Sequence, residues 1–315
     1  MQAWRKMEAG GGLVLENVPE PVAGAGEVVV DVVNVGLCHS DVGIVEGPGE
    51  AWVSQIPITL GHEVAGTISS LGAGVTDFAV GDKVSILCLD FDNCPGISRD
   101  GGYAAKTIGR ADSLVRIPDG ISFAQAAVGT DAGMTSHHAV KVAAGVTEGT
   151  RLGIIGLGGL GALGARIGVL LGAGVYAAEP REEAREAAAA LGIIETFEDA
   201  SGFAGLNLDV IIDFAGFGTT TAQAIETVRR RGRVVQVGLG KLESLISTNT
   251  IVTNEITLVG SVGGVREDVE AVYALMAEKG LESAVEMISF DGIGAGIERL
   301  QAGDVRGRLV AAVRE

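Results

Sequence analysis

The sequence predicts an α/β chain made of two unlike parts, an irregular and mostly antiparallel β half followed by a doubly wound parallel sheet. Three observations predict it. From Leu13 to about Pro118, short β-like runs are separated by turn residues. From Arg151 onward, apolar strand runs alternate with helix-compatible ones. At the head of that alternation, Gly156-Leu157-Gly158-Gly159-Leu160-Gly161 stands between a strand run and a helix run.

In the first part, Glu27-Val28-Val29-Val30-Asp31-Val32-Val33 is the clearest strand, because β-branched residues pack well on a pleated surface. Glu63–Ile68, Asp82–Ile86 and Leu114–Ile117 follow, with Pro21–Gly26 and Gly47-Pro48-Gly49 as punctuation. Around Ser122 the texture changes, and Phe123 to Ala144 reads as helix. Arg151–Ile155, Val175–Ala178, Val210–Asp213, Val234–Val237 and Ile256–Val259 then read as strands. Leu160–Leu171, Glu182–Leu191 and Thr220–Arg230 are the helices between them. The tail from Glu267 carries two more helices and a last strand, Arg308–Val313. The expected divisions are 1–127, 128–262 and 263–315.

The 315 residues suffice for two domains of ordinary size, and 47% hydrophobic with 20% charged residues is a globular composition. A net charge of −17 argues against nucleic-acid or anionic-membrane partners, which require clustered Lys and Arg. Met1–Glu8 has no apolar run resembling a signal peptide. The apolar stretch Leu152–Ala178 is dense in glycine and interrupted by Arg166, so it is not read as a membrane span. The three cysteines, Cys38, Cys88 and Cys94, form no even-numbered framework, so a reducing, cytoplasmic setting is expected.

The strand–turn–helix context lifts the glycine motif above coincidence. Gly156 permits the tight turn, Gly158 lets backbone approach a pyrophosphate, and Gly161 allows close helix–strand packing, with Gly159 and Leu160 opening the helix. The helix N-terminus adds N–H donors and a favourable dipole, which offsets the global charge. Glu179, 18 residues after Gly161, ends the second strand. A carboxylate there accepts hydrogen bonds from a ribose and repels a 2′-phosphate, so NAD(H) is expected in preference to NADP(H), with Arg181 nearby as the opposing influence.

Cys38 and His62 lie 24 positions apart at the edges of strand runs and offer sulfur and nitrogen to a metal. Asp131, a lone carboxylate in an Ala/Gly/Met-rich segment, is costly to bury unless paired or metal-bound, which makes it the third candidate. Glu63 is a candidate fourth, displaceable ligand, and Asp41 a candidate acceptor for the His62 ring N–H. The competing reading of Cys38 and His62 is a core cysteine and a hydrogen-bonded histidine.

Taken together, Gly36-Leu37-Cys38-His39-Ser40-Asp41, Leu60-Gly61-His62-Glu63, Gly72–Val75 with Val80-Gly81-Asp82, Asp131–Thr135, Gly156–Gly161 and Val305-Arg306-Gly307-Arg308 form a collinear set. With it the chain resembles the zinc-dependent medium-chain alcohol dehydrogenases over nearly its whole length. Asp131, where many members have cysteine, looks like the secondary-alcohol branch with Cys-His-Asp ligation. The resemblance implies a GroES-like catalytic domain beside a Rossmann domain, with residues 263–315 returning to the catalytic part.

It also implies one catalytic Zn2+, a small-molecule alcohol or carbonyl substrate, and a homo-oligomer, dimer or tetramer. Ser40 would take the alcohol proton, His39 and Arg306 would contact the pyrophosphate, and Thr135 would pack on the nicotinamide. Asp213–Gly216 and Val237-Gly238-Leu239 would lie at ligand-facing strand ends. Two departures stand out. Members often bind a structural zinc with four cysteines after the Gly81-Asp82 position. Here only Cys88 and Cys94 occur there, so no structural zinc and two ordinary thiols are expected. Gly43 occupies the position where relatives place a relay histidine, so the proton must leave by another route.

Two rival readings are a zinc-free quinone or enoyl reductase of the same superfamily and a dinucleotide-binding relative without catalysis. Retention of all three ligand candidates weighs against the first. The intact serine and glycine fingerprint weigh against the second. His137 and His138 are read as helix-surface or core residues rather than ligands. Trp52 and Leu239 are candidate cleft walls.

Overall fold

The computed structural model describes residues 1–89 and 91–314. Contacts divide the chain into two compact units, one formed by Met1–Asp131, Val269–Glu278 and Glu282–Glu315, the other by Ala132–Asp268 and Lys279–Leu281.

The first unit opens with strands β1 (Gln2–Lys6) and β2 (Leu13–Asn17), then β3 (Glu27–Leu37) and helix α1 (His39–Glu46). Strands β4 (Ile58–Thr59), β5 (Glu63–Leu71), β6 (Lys83–Ile86), β7 (Lys106–Arg110) and β8 (Leu114–Arg116) follow, and then helix α2 (Phe123–Val128). β3 runs past the expected Val33 and is buried along most of its length, so it serves as the central strand. It pairs antiparallel with β5 along one edge and with β7 on the other. The core beneath it is aliphatic: Val28, Val30, Val32, Val35, Leu37, Val64, Ile68 and Ile86 are all buried there.

The second unit contains helix α3 (Met134–His137), β9 (Arg151–Ile155), α4 (Gly159–Leu170), β10 (Gly174–Ala178), α5 (Glu182–Ala187) and β11 (Glu195–Phe197). It continues with β12 (Val210–Asp213), α6 (Thr219–Thr227), β13 (Arg233–Gln236), α7 (Thr248–Thr253) and β14 (Thr257–Gly260). The six strands are parallel, in the order β11-β10-β9-β12-β13-β14, which is the doubly wound topology expected. Its switch point falls beside β9, the strand that feeds the glycine turn.

The tail consists of helix α8 (Arg266–Lys279), β15 (Val285–Ser289), α9 (Ile293–Ala302) and β16 (Arg308–Ala312). β16 joins the first unit by pairing antiparallel with β3, Leu309 opposite Leu37, and β15 lies parallel beside it. Short strands β11 and β15 were not anticipated, because three- and five-residue runs with charged members carry little periodicity.

One expectation is refined and one corrected. The helix expected over Phe123–Ala144 runs on through Ala143, but it changes period on the way: α2, a wide π-type turn at Gly129–Gly133, α3, and a second π-type turn at His138–Ala143. Hydrophobic spacing in an Ala-rich run does not separate these periods. Cys88 and Cys94 are not ordinary thiols but a disulfide: the chain turns back after β6 and brings their Cα atoms to 4.5 Å. Among the described residues no helix is long and apolar enough to cross a membrane.

Candidate metal centre and dinucleotide turn

Three segments of the first unit meet at the C-terminal end of β3. Cys38 follows β3 directly and is the residue before α1. In the β3–β5 pairing Gly36 lies opposite Glu63, which brings His62 and Glu63 alongside. A Cβ on Gly36 would collide with the Glu63 carboxylate, so glycine there makes the room Glu63 occupies. β16 arrives on the other edge of β3, and its register places Arg308 next to Cys38.

Asp131 comes from the π-type turn after α2. Wide turns of this kind push a side chain out of helical register and recur at functional sites.

The result is a buried donor cluster. One atom each from Cys38, His62, Glu63 and Asp131 lies within 4.8 Å of the others. Cys38 Sγ is 3.3 Å from Asp131 Oδ2, and His62 Nε2 is 3.9 Å from the same oxygen. Ser40 Oγ stands 3.7 Å from the Cys38 sulfur. Behind His62, Asp41 Oδ1 faces Nδ1 at 3.4 Å, close by but without the hydrogen bond expected of an acceptor for the ring N–H. Asp41 Oδ2 accepts from the Cys38 backbone N–H at 3.1 Å and from the Tyr103 hydroxyl at 2.8 Å.

The electrostatics call for a cation. Asp41 and Glu63 are fully buried and Asp131 is partly so, and the Arg308 guanidinium reaches Glu63 and Asp131. Arg308 pairs with Glu63 and lies 3.3 Å from Asp131. Burial works against charge on His62, yet the Asp41 carboxylate, with Asp131 and Cys38, outweighs it and raises the imidazole pKa well above its ordinary value. A sulfur, a nitrogen and carboxylate oxygens converging where positive charge is favoured fit a zinc ion. Burial and the same Asp41 charge raise the Tyr103 pKa well above the usual phenol value, so its hydroxyl stays a donor.

In the second unit the glycine motif adopts the expected turn. Gly156 has φ +86°, a conformation open to glycine, and follows β9, while Gly158 caps α4. A Cβ on Gly161 would collide with the Gly156 carbonyl, whereas one on Gly158 would meet nothing within 4 Å. Gly161 is thus fixed by packing, and Gly158 borders open space at a helix N-terminus.

Glu179, after β10, is buried and accepts from Leu157 N at 2.7 Å and from Arg181 Nε at 2.7 Å. Burial raises its pKa, but the bonds from Arg181 and Leu157 win and hold the carboxyl below its ordinary value. Thr135 is buried on α3, and its neighbour Ser136 bonds the Leu160 carbonyl at 2.8 Å. Asp213 anchors the loop after β12 through Ala215 and Gly216 N–H groups and the Thr220 and Thr221 hydroxyls. Val237 N bonds the Asp213 carbonyl at 3.0 Å.

Other candidates lie outside the donor cluster. His39 and Arg306 are exposed in the first unit. His137 and His138 both place Nδ1 on Asp268, at 2.6 and 2.7 Å, which is a structural clasp within the second unit. Trp52 packs over Gly43 and Leu239 is exposed. Arg308 and Tyr103 were missed. The signal for Arg308 was a basic residue opening an otherwise apolar terminal strand; a lone tyrosine after Gly101-Gly102 gave none.

The alcohol dehydrogenase GroES-like domain matches residues 24–119, and the zinc-binding dehydrogenase domain matches residues 159–278. An alcohol dehydrogenase of Geobacillus stearothermophilus is 31% identical over 330 aligned positions, covering 96% of each chain. The chain belongs to the zinc-type medium-chain alcohol dehydrogenases. It is an oxidoreductase of alcohols and carbonyl compounds, with the α/β architecture of that family.

Among solved alcohol dehydrogenases, that of Aeropyrum pernix superposes with a TM-score of 0.91 at 28% identity, covering 99% of this chain and 100% of its own. Acetophenone reductase from Geotrichum candidum, solved in complex with NAD, gives 0.90 at 28% identity over 99% and 97%. A probable cinnamyl alcohol dehydrogenase of Pinus taeda is 28% identical over 92% of this chain and 89% of its own.

Proposed function

We propose that this dehydrogenase works with one catalytic zinc held by Cys38, His62 and Asp131, with Glu63 as displaceable fourth ligand, and with NAD(H) in preference to NADP(H). Its substrates are secondary alcohols and the matching ketones. The observation that carries the reading is the buried sulfur–nitrogen–oxygen cluster, in which the Glu63 and Asp131 carboxylates meet the Arg308 guanidinium beside Cys38 and His62. Zinc in such a site supplies Lewis acidity that lowers the pKa of an alcohol hydroxyl. NAD supplies the hydride acceptor.

The chain's own groups do the rest. Ser40, beside the Cys38 sulfur, takes the substrate proton and passes it toward solvent. Asp41 holds the His62 ring so that Nε2 is presented to the metal. The Gly156–Gly161 turn and the N-terminus of α4 receive the pyrophosphate, with Thr135 against the nicotinamide and His39 and Arg306 on the phosphates. Glu179, held ionised, receives the adenosine ribose hydroxyls once the Arg181 guanidinium shares it.

Asp131 as ligand and the likeness to acetophenone reductase support secondary alcohols. The cinnamyl alcohol dehydrogenase relatives support primary allylic alcohols as the second reading. A homo-oligomer completes the proposal; the cytoplasmic setting, expected from cysteines without a pair, loses that ground with the Cys88–Cys94 disulfide.

The test combines metal analysis of the purified protein with turnover on matched primary and secondary alcohols with NAD. One zinc per chain and faster secondary-alcohol oxidation are expected. Metal-free protein that still oxidises alcohols would overturn the zinc assignment, and a preference for primary allylic alcohols would overturn the substrate class.

A further inference from the structure

We infer that Tyr103 is a positioning residue for the metal centre, acting through Asp41 to fix the two ligands Cys38 and His62 together. The inference rests on the zinc reading above and deepens it.

Asp41 sits at the third position of α1, where its carboxylate reaches back to the Cys38 N–H, the arrangement of a capping box. That bond fixes the backbone that carries one ligand. The other oxygen, Oδ1, faces His62 Nδ1 at 3.4 Å, and neither atom makes a hydrogen bond among the described residues, so each is the nearest available partner for the other. One fully buried carboxylate therefore serves two ligands, through backbone on one side and ring on the other.

A carboxylate with both tasks must not rotate about its Cβ–Cγ bond. Tyr103, itself fully buried, donates its hydroxyl to Oδ2 at 2.8 Å and removes that freedom. The surroundings are shaped to admit the ring. Gly61, with φ +93°, directly precedes His62, and a Cβ there would collide with the Tyr103 ring. The backbone on either side of Tyr103 is held too: its N–H bonds the Leu60 carbonyl at 2.9 Å, and its carbonyl accepts from Trp4 N at 2.8 Å. The phenol is thus aimed at Asp41 by the segment that delivers His62.

Outer partners of metal-ligating histidines set ring orientation and tautomer, and their loss typically weakens metal binding about 10- to 100-fold. The test is zinc affinity of purified Tyr103→Phe, measured by competition with a chromogenic chelator, with thermal unfolding in EDTA as a check on folding. The phenylalanine ring keeps the packing against Gly61, so a purely structural role lowers the melting temperature and leaves zinc affinity unchanged.

Positioning predicts zinc binding weakened about 10-fold, with NAD affinity unchanged. Asp41→Asn should weaken zinc binding at least as much, and adding Tyr103→Phe to it should cost less than on the native background. Unchanged zinc affinity in Tyr103→Phe overturns the inference. Should that variant not fold, unchanged affinity in Asp41→Asn overturns it instead. Failure of the native protein to bind zinc would strike the zinc reading itself, a result separate from either variant's.

Discussion

The dinucleotide turn is built by backbone within six consecutive residues, whereas the donor cluster collects side chains from positions 38, 62, 63, 131 and 308 of the chain. The first depends on what is absent, since Gly161 has no room for a Cβ and Gly158 borders open space. The second depends on what is paired, since every buried charge needs a partner in place. A steric site fails by collision and an electrostatic one by imbalance. The two should therefore break differently.

The largest effect is expected at the cluster. Asp131→Asn removes a charge without changing shape, and should lower zinc occupancy and cut turnover on the order of 10²- to 10³-fold, the loss of several kcal/mol of Lewis-acid stabilisation. Metal content and kcat measured together check it; a zinc-replete, fully active variant removes Asp131 from the ligand set.

The glycine pair sharpens the contrast. Gly161→Ala should cost about 2 kcal/mol of stability from overpacking, together with NAD affinity. Gly158→Ala should leave the melting temperature near native and still weaken NAD binding, because its methyl enters only the space a pyrophosphate needs. Calorimetric titration beside thermal melts separates the two; equal destabilisation by both would contradict the assigned roles. Glu179→Gln should erode NAD over NADP discrimination about 10-fold, by removal of like-charge repulsion at the ribose. A native enzyme faster with NADP would refute the reading of that carboxylate.

The smallest effects are in pH dependence and thiol count. Burial works to raise the Asp268 pKa, but the Val265 N–H and the two histidines outweigh it and depress it. A carboxyl whose folded pKa is depressed binds fewer protons folded than unfolded. Its stabilisation is therefore present above the ordinary carboxylate pKa of about 4 and is lost as pH falls through the folded value. The melting temperature should fall as pH drops below about 4, and less steeply in Asp268→Asn. Unreduced, denatured protein should show a single thiol, Cys38, and all three cysteines of the sequence after reduction.

The same contrast explains what could be read before folding. A glycine turn is local, so its spacing between a strand and a helix carries the whole message, and β9, α4 and β10 fell within one residue of expectation. Cys38, His62 and Asp131 were legible as chemistry out of place in apolar segments. Arg308 was not, because only the β16–β3 register brings it to Cys38. Tyr103 was hidden for the same reason, since its partner Asp41 lies 62 positions away. The π-type turn that projects Asp131 escaped because an Ala-rich run satisfies several helical periods. The disulfide escaped because pairing across six residues is decided by loop geometry rather than by cysteine count.

Trp52 bears on the proton's exit. Its indole lies 3.6 Å from where a Cβ on Gly43 would stand, and Gly49 is pressed close against the same ring. A methyl at position 43 is tolerated at that distance, whereas an imidazole directed toward Trp52 would meet its ring. A histidine shuttle turned toward this indole would compete with it for the same space, so grafting a relay histidine at position 43 is best tried together with a smaller residue at Trp52.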